Sequence, residues 1–121
     1  MRIFKYRIFQ DWAESERLKN EVLLNAIKEL ENGLYEANLG SGLYKKRIAI
    51  AGKGKSGGYR TLIVFKKGEK AFFVYGFSKS TKANISDTEE KAYRKLSKTL
   101  LEMSSEEINR LLEIGKLFEV K

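Results

Sequence analysis

Apolar and polar residues change their spacing several times along the chain. Met1–Phe9 sets Ile3, Phe4, Ile8 and Phe9 among basic and aromatic residues and reads as an opening strand. Asp11 is placed to cap a short helix holding Trp12 and Ala13. From Glu16 to Asn32, Leu18, Val22, Ile27 and Leu30 recur near a helical period, and Leu23, Leu24 and Ala26 widen the stripe. Gly33 suits the left-handed stop of that helix, and Leu34–Gly42 reads as a connector.

The middle of the chain changes period. Leu43–Ala51, Tyr59–Lys66 and Ala71–Ser78 are rich in β-branched and aromatic residues, with a tight turn at Lys67-Gly68-Glu69 and a glycine-rich link at Gly52–Gly58. This predicts a three-stranded antiparallel meander. Helical spacing returns in Ser86–Met103 through Ala92, Leu96 and Leu100, with Ser86 or Asp87 as N-cap. Ser104 opens a second helix with a capping-box pattern, Ile108, Leu111 and Leu112 form its apolar face, and Gly115 ends it. Leu117–Val120 is left as a short terminal strand. The predicted order is β-α-α-β-β-β-α-α, an α+β chain with one layer pair, forming a single domain over residues 1–121.

Composition narrows the chemistry. The chain has 121 residues, 42% hydrophobic and 33% charged, with no Cys, His or Pro. Without Cys there is no disulfide framework or thiolate metal site, and without His the commonest general base and zinc ligand are missing. The N-terminus has no signal-peptide pattern and no apolar run approaches a membrane span, so a cytoplasmic protein without a membrane partner is expected.

The charge is unevenly placed. Residues 1–36 hold 6 Lys/Arg against 7 Asp/Glu, residues 37–82 hold 11 against 1, and residues 83–121 hold 7 against 8. The whole formal excess of +8 therefore lies in the middle third, and a field focused in this way attracts a polyanion, most often nucleic acid.

Several constellations could carry that interaction. Ala49-Ile50-Ala51-Gly52-Lys53-Gly54-Lys55-Ser56 fits a relaxed P-loop pattern, but a P-loop needs a helix after the lysine and serine. Tyr59–Phe65 reads as strand instead, so the loop is taken as a cationic phosphate-approaching segment with Lys53 and Lys55 as RNA contacts. Lys45 and Arg47 are two apart on a strand and project from one face, with Lys46 between them. Arg60 opens the next strand, and Lys79 and Lys82 follow the last. Spacing alone leaves phosphate holding and catalysis equally open. Tyr44 and Tyr59, beside the cations, are candidates for stacking on bases, while Tyr93 reads as packing. Glu89/Glu90 and Glu106/Glu107 stand at helix starts, where capping accounts for them, and neither a metal nor another cofactor is expected.

The runs Gly42–Ala49, Gly52–Leu62 with its GGYR, Tyr75–Ser80 and Ala83-Asn84-Ile85 resemble a branch of the RelE/HigB-like toxins of type II toxin–antitoxin systems, in the RelE/ParE superfamily. The likeness covers nearly the whole chain. It implies a compact RelE-like, microbial-RNase-type fold with a concave cationic face, and metal-independent cleavage of mRNA on the ribosome through a 2′,3′-cyclic phosphate. It also implies neutralisation by a cognate antitoxin, expected to be a helix-turn-helix protein. By position, the family's basic pair on the first meander strand corresponds to Lys45 and Arg47, its post-loop arginine to Arg60, and its later cation to Lys79 or Lys82. Lys45 is then the general base, because neighbouring cations favour a neutral amine, while Arg47 and Arg60 hold the phosphate. No general acid is identified; some relatives use a tyrosine in a C-terminal helix, which Tyr93 matches weakly. Two rivals stand beside this reading: a gyrase-directed ParE-type toxin of the same fold, and a non-catalytic nucleic-acid-binding regulatory module.

Overall fold

The computed structural model describes residues 1–49 and 58–121. Its elements run β1 (Arg2–Tyr6), α1 (Arg7–Ser15), α2 (Asn20–Glu31), β2 (Ala37–Gly40), β3 (Leu43–Ile48), β4 (Tyr59–Lys66), β5 (Lys70–Ser78), α3 (Asp87–Glu102), α4 (Ser105–Glu113) and β6 (Leu117–Glu119). The six strands form one sheet in the order β2-β3-β4-β5-β1-β6. β1 pairs parallel with β5, and the other neighbours are antiparallel.

The α+β class and the meander agree with the sequence, and several details differ. The opening strand ends at Tyr6, where α1 begins, because Phe9 and Ala13 share a buried helical face. Asp11 therefore lies inside α1 and pairs with Arg7 one turn back instead of capping the helix. The expected connector contains β2, whose Ala37 and Asn38 pair with Lys45 and Tyr44, so the meander has four strands. Gly40, Ser41 and Gly42 all have positive φ and make the turn that joins β2 to β3. The second helix starts at Asn20, and Arg17, with φ of 57°, breaks the run before it.

The expected layer pair is in fact three layers. β4 and β5 are apolar on both faces, so helices must cover both. Tyr59, Ile63, Phe65, Ala71 and Phe73 pack with α1 and α2 through Phe9, Ala13, Leu23, Ala26, Ile27 and Leu30. On the opposite face Leu43, Leu62, Val64, Phe72 and Val74 pack with Leu100 of α3 and Ile108 of α4. In α3 the stripe runs through Tyr93, Leu96, Ser97 and Leu100, while Ala92 is exposed. Gly76 belongs to this economy of space, since a Cβ there would come within 2.2 Å of the Trp12 ring.

Helix ends follow local chemistry. Ser86 and Ser104 each cap their helix in a complete capping box with Glu89 and Glu107, a device worth about 1 kcal/mol per cap. Gly33 and Gly115 have φ of 81° and 74°, the left-handed form expected at the ends of α2 and α4. No helix among the described residues is long and apolar enough to cross a membrane.

Candidate nucleic-acid interface

β3 and β4 position four of the cations selected from the sequence. Their register sets Lys45 against Leu62, Lys46 against Thr61 and Arg47 against Arg60. Directly opposed residues share a face, so Lys45, Arg47 and Arg60 start from the α3 side of the sheet and Lys46 from the other. Lys46 lies buried beneath α2, where its Nζ is 3.0 Å from Glu29. Its carbonyl accepts a 2.9 Å hydrogen bond from Thr61 Oγ1, fixing the backbone at that point.

Arg60 is also buried. Its Nε lies 2.8 Å from Glu36, the residue just before β2, so the side chain reaches past β3. Glu36 is held in turn by its own N–H, which donates to the Lys45 carbonyl at 2.8 Å. Both buried cations therefore have carboxylates, as burial of a charge requires. Between them opens a cleft of about 470 Å³ lined by Glu29, Tyr35, Glu36, Lys46, Arg47 and Arg60.

A second cluster lies where the β5–α3 loop meets the sheet. Lys45 Nζ donates to Asn84 Oδ1 at 3.4 Å. Lys82 Nζ donates to Tyr75 Oη at 3.2 Å and lies 2.5 Å from Glu89 Oε2. The bond that Lys82 donates to Glu89, followed by the one it donates to Tyr75, raises the Lys82 pKa, while Lys82 and the Ser86 backbone hold Glu89 below the usual carboxylate range. Lys79 is exposed just beyond β5. Lys53 and Lys55 lie outside the described residues.

With this geometry in view, the chain matches the model of the family described as the RelE toxin of the RelE/RelB toxin–antitoxin system, over residues 1–120. The chain belongs to the RelE toxin family. It is thus a toxin of a toxin–antitoxin system, and membership implies an antitoxin partner. No curated protein matches it.

The aromatic candidates of this RelE-family toxin are more enclosed than the sequence implied. Tyr59 is in the core, edge-on to Trp12 at 5.2 Å, and burial followed by a hydrogen bond to Glu16 raises its pKa. Tyr44 is half-buried between Tyr35 at 5.0 Å and Phe65 at 5.9 Å. Tyr93 stacks on Tyr75 at 5.3 Å, and burial pushes its pKa up to about 12, in keeping with the packing role read from its helix. Among the described residues no three carboxylates converge as a metal site.

Sequence reasoning missed Glu29, Glu36, Tyr75, Asn84 and Glu89 as members of this region. Glu36 is the last acidic residue before the basic third, and Glu89 is the third helical residue of a legible capping box. The signal for Glu36 was present only as a charge boundary; its partner is 24 positions away and depends on the strand order.

Proposed function

We propose that this toxin is a metal-independent endoribonuclease that cleaves mRNA on the ribosome in the cytoplasm, acting as one domain over residues 1–121. The observation that carries this reading is the common face of Lys45, Arg47 and Arg60 on β3 and β4 of a RelE-family chain without histidine. Lys45 takes the proton of the ribose 2′-hydroxyl, which attacks the adjacent phosphorus to give a 2′,3′-cyclic phosphate and a free 5′-hydroxyl. Arg47 and Arg60 grip the phosphate and offset its developing charge, with Lys79 as a further cation at the site. Lys46, Lys53, Lys55 and Lys82 supply positive field along the RNA, and Tyr44 borders its path, while Tyr59, buried against Trp12, has no part in it.

The carboxylate of Glu36 on Arg60 supports the phosphate role, because it is an oxyanion already seated on the guanidinium. RNA binding on this reading exchanges one oxyanion for another. The ribosome orients the mRNA, so the free protein cuts RNA weakly. The antitoxin is a helix-turn-helix protein that covers the face bearing Arg47 and Arg60.

The test is induced expression in a bacterium with mapping of transcript ends. New 5′-hydroxyl ends inside translated regions, lost when translation is blocked, are expected. Intact transcripts accompanied by DNA breaks would replace this reading with the gyrase-directed one. The non-catalytic reading draws on the full pairing of Lys46 and Arg60 with Glu29 and Glu36. Growth arrest with neither cut RNA nor broken DNA would favour it.

A further inference from the structure

The ribonuclease reading leaves one role unfilled, the acid that protonates the 5′ oxygen as it departs. We propose that Tyr75 is that acid, with Lys82 as the positioning residue that holds its hydroxyl; the assignment rests on the ribonuclease reading above.

The hydrogen bonding sets the direction of proton flow. An ammonium has three donors and no acceptor, so in the 3.2 Å contact Lys82 donates and Tyr75 Oη accepts. The hydroxyl's own proton is therefore directed elsewhere, and among the described residues no group accepts it. Lys82 is kept in place by Glu89, whose other carboxylate oxygen accepts from the Ser86 N–H at 2.8 Å. Its charge also lies 5.2 Å from the Tyr75 ring centre, where it offsets the negative charge left on the ring oxygen after proton transfer. The ring itself is half-buried and held by Tyr93 at 5.3 Å and Phe77 at 5.9 Å.

The sheet places this group correctly for in-line chemistry. In-line displacement puts the entering and leaving oxygens on opposite sides of phosphorus, so base and acid must flank it. Lys45, Leu62 and Tyr75 form one row across β3, β4 and β5. Two strand spacings separate the outer members by about 10 Å at the backbone. The next row on the same face is Arg47, Arg60 and Phe77. When Arg60 leaves Glu36 and swings back over its own row, a phosphate held there has Lys45 on one flank and Tyr75 on the other. Asn84, which accepts from Lys45, is two residues beyond Lys82, so one loop supports both flanks. Tyr93, the other tyrosine nearby, is held protonated by burial and is the poorer donor.

The step balances. The 2′ oxygen, having given its proton to Lys45, forms a bond to phosphorus. The P–O5′ bond breaks with its electron pair staying on the 5′ oxygen, and that oxygen takes the Tyr75 proton. Tyr75 is then reprotonated from water, with Lys82 adjacent.

The experiment compares wild type and Tyr75→Phe on ribosome-bound mRNA at a mapped cut site, once with the natural 5′ oxygen and once with sulfur in its place. Sulfur leaves without needing a proton. Phe keeps the ring stack, and a thermal transition checks the fold. Tyr75→Phe is expected to cut the natural RNA on the order of a hundredfold more slowly, while cutting the sulfur-linked RNA at the wild-type rate. Lys82→Ala is expected to show a smaller loss with the same rescue. Equal rates for wild type and Tyr75→Phe on natural RNA would overturn the assignment. So would an equal loss on both substrates, which marks a packing role. If wild type cuts neither substrate, the ribonuclease reading itself falls and takes the assignment with it.

Discussion

The edge cleft and the cluster beside α3 are both built from lysine or arginine facing glutamate, yet they differ physically. In the cleft the Lys46 and Arg60 side chains are 9% and 8% exposed, and their carboxylate partners come from α2 and from the segment before β2. Beside α3, Lys82 and Glu89 are 31% and 33% exposed and seven residues apart, and Lys82 alone also donates to a tyrosine hydroxyl. A buried cation that loses its carboxylate remains uncompensated in a low-dielectric setting, whereas an exposed one regains water. The cleft pairs therefore hold elements together, and the α3 pair sets the position of small groups. Positive charge that is contiguous in sequence is split by the fold into these two uses.

The largest test of that division is Arg60→Ala. On the proposed function it removes a contact worth about 3–4 kcal/mol in the transition state, a hundredfold to a thousandfold in rate, and abolishes growth inhibition. Arg60→Lys keeps the charge but loses the planar fork, so partial recovery is expected. Near wild-type cutting by a folded Arg60→Ala protein, measured on ribosome-bound mRNA, would make Arg60 a structural partner of Glu36 and move the catalytic assignment towards Lys79 and Lys82.

A smaller effect separates the two regions by stability. Glu36→Gln leaves the buried Arg60 charge without its counter-ion, and a loss of about 1–3 kcal/mol is expected in denaturant unfolding. The same change releases Arg60 for phosphate, so RNA affinity should rise several-fold as stability falls. Lys82→Ala, at a partly exposed pair, should lower the unfolding midpoint much less. Equal destabilisation by the two variants would erase the distinction between a pair that binds elements and a pair that aims side chains.

The smallest expected effect is on pH dependence. Lys82 and the Ser86 backbone lower the Glu89 pKa, and the Ser104 backbone and hydroxyl lower that of Glu107. A carboxylate whose folded pKa is depressed contributes stability above its unfolded value of roughly 4.3, and that contribution is lost as pH falls through the folded pKa. The thermal midpoint should therefore decline below about pH 4, and Glu89→Gln should reduce the slope. An unchanged slope in Glu89→Gln would show that the capping carboxylate is uncoupled from folding.

What could be read in advance depended on the range of the interaction. Both capping boxes, the turn at Gly68 and the strands around Leu62 and Phe72 follow from neighbours a few residues apart. β2 escaped because Asn38 and Gly40 carry loop composition, and its pairing with β3 includes a register shift between them. α1 began early because Ile8, which looked like strand, points outward at 50% exposure while Phe9 turns inward. The cations themselves were legible by type and strand. Their partners were not: Glu29 and Glu36 lie in the charge-balanced first third, and only the strand order brings them to Lys46 and Arg60.

The position of β1 between β5 and β6 has a consequence for the order of assembly. Arg2 pairs with Lys70 and Phe4 with Glu119, so the first strand made waits for strands made much later. Local hairpins close first because short loops cost less entropy, and β2 to β5 can zip in sequence. β1 then inserts beside β5, and β6 seals it with the Arg2–Glu119 ion pair at 2.9 Å. The sheet is finished only when Leu117–Glu119 has emerged from the ribosome, so β1 stays unsealed on its β6 side while more than a hundred residues are added behind it.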